Sequence, residues 1–176
     1  MPFTPFHMGP ALAIKAVAGR HFSVLVFGIA QVAMDIEPLV GMIRGAEVLH
    51  GWSHSYVGAT AIGLLVMLLA PPICLPILRR WNHELRHHGA AWLSSPERIG
   101  LRESATGAFV GTYSHVVLDS IMHSDITPFA PWSSANGLQS LMSINALHTA
   151  CIVTGLAGIA GWFILALWRK RKQRQN

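Results

Sequence analysis

Histidine and aspartate recur at a helical spacing in the segment GTYSHVVLDSIMHSD, residues 111–125. His115, Asp119 and His123 follow one another at intervals of four in an otherwise apolar stretch, and Asp125 lies just beyond. In a helix, residues four apart share one face, and imidazole and carboxylate groups are common zinc ligands. We therefore predict His115 and Asp119 as metal ligands. A helix turns His123 partly away from His115, so we predict that it supports the ligands or acts as an acid. The alternative is a polar seam that joins helices.

A second candidate pair lies in the segment LHGWSHS, where His50 and His54 are again four apart. Two imidazoles at this spacing on a helix can bind one ion, and we predict both as metal ligands. The alternative is that one of them caps a helix or bonds a loop carbonyl. Ser53 and Ser55 are suitably placed to cap the following helix or to orient an imidazole.

Two acids and one further histidine complete the candidates. Asp35 and Glu37 follow an apolar run and precede Pro38. Carboxylates two residues apart point in different directions in regular structure, so we predict Asp35 as a metal ligand and Glu37 as a supporting group or general base. The alternative is that both are solvated acids at a membrane surface. His7 becomes a candidate ligand only if the fold brings it to the same place.

The composition is that of an integral membrane protein. Hydrophobic residues make up 52% of the 176 residues and charged residues only 12%, against about a quarter in soluble domains. Segment 146–168 carries no formal charge and is long enough to cross a hydrocarbon core of about 30 Å. We predict an all-α, polytopic membrane bundle of about five helices. The other apolar stretches are 8–18, 22–34, 104–122 and 56–69, the last extended towards Leu78 but broken at Pro71, Pro72 and Pro76.

Lysine and arginine orient this bundle. Segment 79–102 carries five arginines and the chain after Trp168 continues RKRKQR, and such clusters mark the cytoplasmic side. With five crossings Lys15 and Arg20 fall on that side too, and only Arg44 falls on the other. The N-terminus, the connection between the second and third helices, and the end of the fourth are then expected at the outer face. All the candidate ligands would meet there.

No second functional motif stands out. Cys74 and Cys151 lie in apolar stretches and are expected to be small buried thiols rather than a CxxC site. A basic tail directly after a membrane span is typical of an anchor for phospholipid headgroups, and we expect no nucleic-acid partner. We treat 1–176 as a single membrane-embedded domain with a cytoplasmic loop at 79–103 and a basic cytoplasmic tail at 169–176.

The motifs LHGWSHS and SHVVLD resemble the paired-histidine and H-x-x-x-D motifs of the YdjM-type inner-membrane metal-dependent hydrolases. An N-terminal histidine and an acidic pair after the second apolar stretch appear in the same order. More distantly, the chain is similar to zinc-dependent phospholipase C and P1-type nucleases, whose ligand order matches His7, Asp35, His50 or His54, His115 and Asp119. This resemblance implies a divalent metal centre of two or three zinc ions in which Asp119 could bridge ions.

The predicted function is a multi-pass, metal-dependent hydrolase of a bacterial inner membrane, with its C-terminus in the cytoplasm and its site on the outer side. Zinc activates a coordinated water, which suits phosphodiesterase or phospholipase chemistry on a lipid or lipid-linked substrate. Glu37, Asp125 or His123 would protonate the leaving group. A haem protein with paired axial histidines and a metal or proton transporter remain alternatives. The sequence leaves the oligomeric state open.

Overall fold

Helices form all the regular secondary structure in residues 5–175, the part of the chain that the computed structural model describes. Asp35 alone separates the second and third α-helices, which together form one helical segment, Val24–Arg44, and the predicted all-α bundle of about five helices is confirmed. The α-helices are α1 (Gly9–Ala18), α2 (Val24–Met34), α3 (Ile36–Arg44), α4 (Tyr56–His87), α5 (Leu101–Met122) and α6 (Ile144–Gln175). Short 3-10 helices cover Pro5–Met8, Gly19–His21, Trp52–His54 and Ala91–Leu93.

Three helical segments are long and apolar enough to cross a membrane: Val24–Arg44, Tyr56–His87 and Ile144–Lys172. Their outward side chains are hydrophobic; Leu68 of α4 and Ile164 of α6 are each 63% exposed. A hydrocarbon solvent requires apolar side chains on the outside and backbone hydrogen bonds that are satisfied within the protein. The fold therefore agrees with the predicted multi-pass membrane protein.

The candidate ligands collect at one end of the bundle because successive helices alternate in direction. α2 ends there, α4 begins there and α5 ends there. α1 also begins there, beside the start of α6, where the Phe6 ring stacks on His148 with centroids 4.3 Å apart. The predicted meeting of these segments is confirmed, whereas the membrane side that they face stays a prediction.

α5 approaches α2 closely because glycines face that helix. A Cβ at Gly107 would come 2.7 Å from the Ser23 carbonyl oxygen, and one at Gly111 would come 2.7 Å from the Ala30 Cβ. Small residues four apart let helix backbones meet in membranes. The close approach brings the Gln31 amide of α2 onto α5, where its Nε2 donates to the Gly111 carbonyl at 3.0 Å.

α1 packs chiefly against α6, and this pair lies beside the α2, α4 and α5 bundle. Side chains at Gly9 or Gly158 would overlap the backbone of the facing helix, so the two helices are in backbone contact. Cys151 lies in this contact region, and Cys74 lies in the apolar core between α2, α4 and α5. Both are buried free thiols, as predicted.

The predicted break at Pro71, Pro72 and Pro76 is wrong, because α4 continues through all three. A proline lacks the N–H that would bond the carbonyl four residues earlier, so Pro71 leaves the Met67 carbonyl without its helical donor. Ser104 of α5 supplies a replacement, donating its Oγ–H to that carbonyl at 2.6 Å. A neighbouring helix thus repairs the bond, which is how membrane helices tolerate proline.

The predicted cytoplasmic loop 79–103 is shorter than expected, because α4 runs to His87 and α5 begins at Leu101. What remains is tied to α4. The buried Asn82 amide accepts from the Ser95 N–H at 3.1 Å and donates to its carbonyl at 2.7 Å. The predicted basic tail lies on the continuation of α6, which runs to Gln175, and its last residue lies outside the described part.

Replacing Ser104 by Ala is expected to lower the free energy of unfolding by about 0.5–2 kcal/mol, the range for interhelical hydrogen bonds in membranes. In a Pro71→Ala background the same change should lower the free energy of unfolding by less, because the restored backbone N–H at position 71 can bond the Met67 carbonyl. Unfolding of the four proteins in detergent completes a double-mutant cycle. Equal losses in both backgrounds would contradict this account of the proline.

Candidate metal centre

Asp119 lies at the middle of the polar cluster and is only 3% exposed. Four imidazoles point their Nε2 atoms at its two oxygens. The separations are 3.4 Å from His7 to Oδ1, and 3.2, 3.4 and 3.9 Å from His115, His54 and His50 to Oδ2. All four are longer than the roughly 2.7–2.9 Å of a charge-assisted hydrogen bond. The side chains therefore surround a small space rather than close upon one another.

Four separate segments deliver these groups. His115 and Asp119 lie one turn apart on α5, as their spacing predicts, and the Asp35 Oδ1 lies 3.5 Å from the His115 Nε2. His54 immediately precedes α4, whose start is fixed by the Ser55 Oγ accepting from the Gly58 N–H at 3.0 Å. The predicted cap is thus confirmed. His50 and His54, however, lie in the segment before α4 and not on a regular α-helix.

The Nδ1 atoms of His115 and His50 are held by acceptors behind the rings. The Gln31 Nε2 donates to the Gly111 carbonyl, so its Oε1 is the acceptor that faces His115 Nδ1 at 2.7 Å. The Asp125 Oδ1 accepts from His50 Nδ1 at 2.8 Å. Both Nδ1 atoms are therefore protonated, and in a neutral imidazole the Nε2 atom then carries the lone pair.

His54 is held in the same way by Ser53. The Ser53 hydroxyl donates to the Glu37 carboxylate, which also accepts the Ser53 N–H at 2.7 Å and the Trp52 N–H at 3.2 Å. The Ser53 Oγ is then free to accept from His54 Nδ1, which lies 2.8 Å away. The His54 Nε2 lone pair is thereby turned towards Asp119 as well.

Several polar atoms of these buried groups have no hydrogen-bond partner in the described structure. The Nε2 atoms of His7, His54 and His115 and the Asp119 Oδ1 have no hydrogen-bond partner. Burial lowers the pKa of His7 to about 4 despite the nearby carboxylate, and burial lowers that of His54 as well. A proton on one ring would satisfy only the polar atoms that this ring contacts. A cation in the space would satisfy them together, and metal ligation requires neutral imidazole.

The geometry fits a metal ion. Asp35, His54, His115 and Asp119 each offer a ligand atom, all within 4.8 Å of one another, and could hold one. All four residues are buried. His7 adds a fifth donor at the edge of this group, since its Nε2 faces the Asp119 Oδ1. Five of the six predicted ligands thus share one space.

His50, the sixth, belongs to an adjoining group with His123 and Asp125 that could also hold an ion. The His123 ring stacks on the His50 ring with centroids 4.2 Å apart. The helical rotation predicted for His123 does not apply, because α5 ends one residue before it.

Partial burial alone would raise the pKa of Asp125, but hydrogen bonds from His50 and from the Leu49 N–H outweigh it and lower the pKa to about 2.

The structure therefore brings together every predicted site residue. Glu37 is the most distant of them and reaches the cluster through Ser53, which contacts His54. Asp35 and Glu37 point to different neighbours, as their spacing predicts. Sequence reasoning missed Gln31. Its signal is a single amide inside the uncharged run VLVFGIAQVAM, where a polar side chain needs a buried partner.

No protein-family model, curated protein or solved structure matches this chain.

Replacing Gln31 by Leu is expected to weaken metal binding about 10–100-fold, the usual effect of removing a group that orients a ligand. The substitution removes the acceptor for His115 Nδ1 and leaves the metal-facing atoms in place. Titration of detergent-purified apoprotein against a chelating indicator measures the affinity. Gln139→Leu, at an exposed position in the loop before α6, is the matched control. Similar affinities for both variants would contradict a role for Gln31.

Proposed function

We propose that this protein is a membrane-embedded, metal-dependent hydrolase that cleaves a phosphoester in a lipid or lipid-linked substrate. The convergence of four imidazole Nε2 atoms on one buried carboxylate carries the proposal. Imidazole with carboxylate donors suits zinc better than magnesium or calcium, which prefer oxygen ligands alone. This is the chemistry that the resemblance to YdjM-type hydrolases implies.

The donor set could hold two ions. Asp119 presents Oδ1 to His7 and Oδ2 to the other three imidazoles, so all four rings border its carboxylate. We assign Asp35, His54 and His115 to the first ion together with Asp119. His7 and His50, the remaining imidazoles that face Asp119, would hold a second ion.

The surrounding residues divide into positioning and proton-transfer roles. Bound zinc would lower the pKa of a coordinated water to about 7 and polarise the phosphoryl group. Asp125 and Glu37 already accept hydrogen bonds from His50 and Ser53, so we assign them to positioning. His123 lies at the partly exposed rim of the centre, and we assign it proton transfer to the leaving oxygen.

The two alternative functions have less geometric support. Haem needs two imidazoles on opposite faces of a flat macrocycle, whereas the rings of His54 and His115 lie edge to face, 5.1 Å apart, and share one carboxylate. A transport path needs polar groups that continue along the bundle. Here the fully buried Met34, Ala59 and Val116 form an apolar cluster beside the centre.

An apolar groove beside the centre supports a lipid substrate. The groove has a volume of about 770 Å³ and lies along α2, α3 and α4, where Leu65, Leu69 and Ile73 form part of its wall. It reaches Ser53, whose hydroxyl contacts His54 Nδ1. Arg44 also lines it and offers a cation for a phosphate. An acyl chain could therefore lie in the groove with its headgroup near the centre.

Detergent-purified protein is expected to contain stoichiometric zinc and to hydrolyse a phosphodiester. His115→Ala and Asp119→Asn should lose both properties, because each removes a donor from the shared space. His83→Ala, an exposed position at the far end of α4, is the control and should retain both. Elemental analysis and a panel of chromogenic phosphodiesters and phosphomonoesters provide the measurements.

Two negative outcomes separate the parts of this proposal. Folded protein without any stoichiometric divalent metal would refute the metal centre and the hydrolase together. A stoichiometric metal without turnover of any phosphoester in the panel would leave the metal centre standing and refute the hydrolase.

Filling the groove is expected to slow hydrolysis of long-chain substrates only. Leu65→Trp or Leu69→Trp should reduce kcat/KM for a long-chain lipid by about tenfold, since excluding about two methylene groups costs roughly that much. A short-chain soluble ester should be unaffected. Leu64→Trp and Leu68→Trp are the controls, because these exposed neighbours lie outside the groove wall. Equal losses at all four positions would argue against a chain in the groove.

A further inference from the structure

A second cavity lies at the end of the bundle opposite the metal centre. It has a volume of about 460 Å³ and is lined by residues of α1, α2, α4, α5 and α6. α5 contributes Glu103 near its start to this cavity and Asp119 near its end to the metal centre. With 1.5 Å per residue, the two sites lie about 24 Å apart along that helix. The cavity is therefore separate from the proposed catalytic site.

The charge of the cavity lining favours an anion. Lys15, Arg20 and Arg98 line the cavity, against the single acid Glu103. The Lys15 ammonium donates to the Phe22 carbonyl at 2.8 Å, which uses one of its three donors. A phosphate group suits the remaining lysine donors and the two guanidinium groups.

The rest of the lining is apolar and aromatic. Leu25, Ile77 and Ile159 line the cavity together with Trp81 and Trp162. Tryptophan is typical of the interface between hydrocarbon and headgroups. A cationic group of residues beside an apolar wall fits an amphiphile with an anionic head better than it fits a soluble anion.

The wall that carries Arg98 is anchored to α4. Asn82 is 1% exposed and bonds both backbone groups of Ser95, and the Arg86 guanidinium pairs with Glu97 at 2.9 Å. These contacts hold the chain on the N-terminal side of Arg98 against the end of α4. The cavity is thus built by specific bonds rather than by a loose loop.

We propose that this cavity binds one anionic phospholipid, with its phosphate at Lys15, Arg20 and Arg98 and an acyl chain along the apolar wall. The cavity lies between the α1 and α6 pair and the other helices, which contact that pair much less than α1 and α6 contact each other. A lipid bound here joins the two parts. It therefore stabilises the fold and takes no part in hydrolysis.

The experiment compares thermal unfolding of delipidated protein in detergent with added phosphatidylglycerol, phosphatidylcholine or inorganic phosphate. Phosphatidylglycerol is expected to raise Tm by about 5–10 °C at a hundredfold excess over its Kd, and the other two additives should have little effect. The triple variant Lys15→Gln, Arg20→Gln, Arg98→Gln should lose most of this rise. The control carries Arg79→Gln, Arg80→Gln and Arg102→Gln, three exposed positions outside the cavity lining, and should keep it.

Three results would overturn the proposal. These are no rise in the wild-type protein, an equal rise with phosphatidylcholine or inorganic phosphate, and equal losses in the two triple variants. If the cavity variant does not fold, the single variants Arg20→Gln and Arg98→Gln replace it, and each should weaken the response. Native mass spectrometry gives an independent count, with one retained phosphatidylglycerol expected for the control and none for the cavity variant.

Discussion

The need to neutralise one buried carboxylate governs the arrangement of this protein. Removing an ion such as the Asp119 side chain from water costs several kcal/mol unless it is paired, and here it lies among apolar helices. Four imidazoles surround it, and each of three rings is held from behind by a different acceptor. The close contact of α2 with α5 belongs to the same arrangement, because it places the Gln31 amide against His115. The packing of α2 against α5 therefore also fixes the orientation of the His115 ring.

Two sets of polar residues lie at opposite ends of the bundle, a helix length apart. The candidate metal ligands occupy one end, and Lys15, Arg20 and Arg98 occupy the other. Between them lies an apolar core that includes Val26, Ala70 and Ala108. Polar groups at the two ends and an apolar middle are what a bilayer would favour, since polar groups are cheapest near its two surfaces.

Local patterns predicted much of the fold and the candidate site, and tertiary contacts account for the errors. The spacing of His115 and Asp119 carries over directly, because a helix fixes the geometry of residues four apart. The predicted break at the prolines of α4 was wrong because Ser104, far away in the chain, supplies the donor that the Met67 carbonyl lacks. His123 misled because the end of α5, and not helical rotation, sets its position. Gln31 has no periodic partner, so only its unusual polarity distinguished it.

The pairing of the first and last helices has a consequence for biogenesis. His7 lies in the 3-10 helix Pro5–Met8, which contacts α6 as well as α1, and α1 itself packs chiefly against α6. The ribosome releases α6 after every segment that carries a donor. The donors on or next to α2, α4 and α5 depend on contacts among those three helices, whereas the placement of His7 also involves contacts with α6. A donor set that includes His7 therefore depends on contacts made by the last helix.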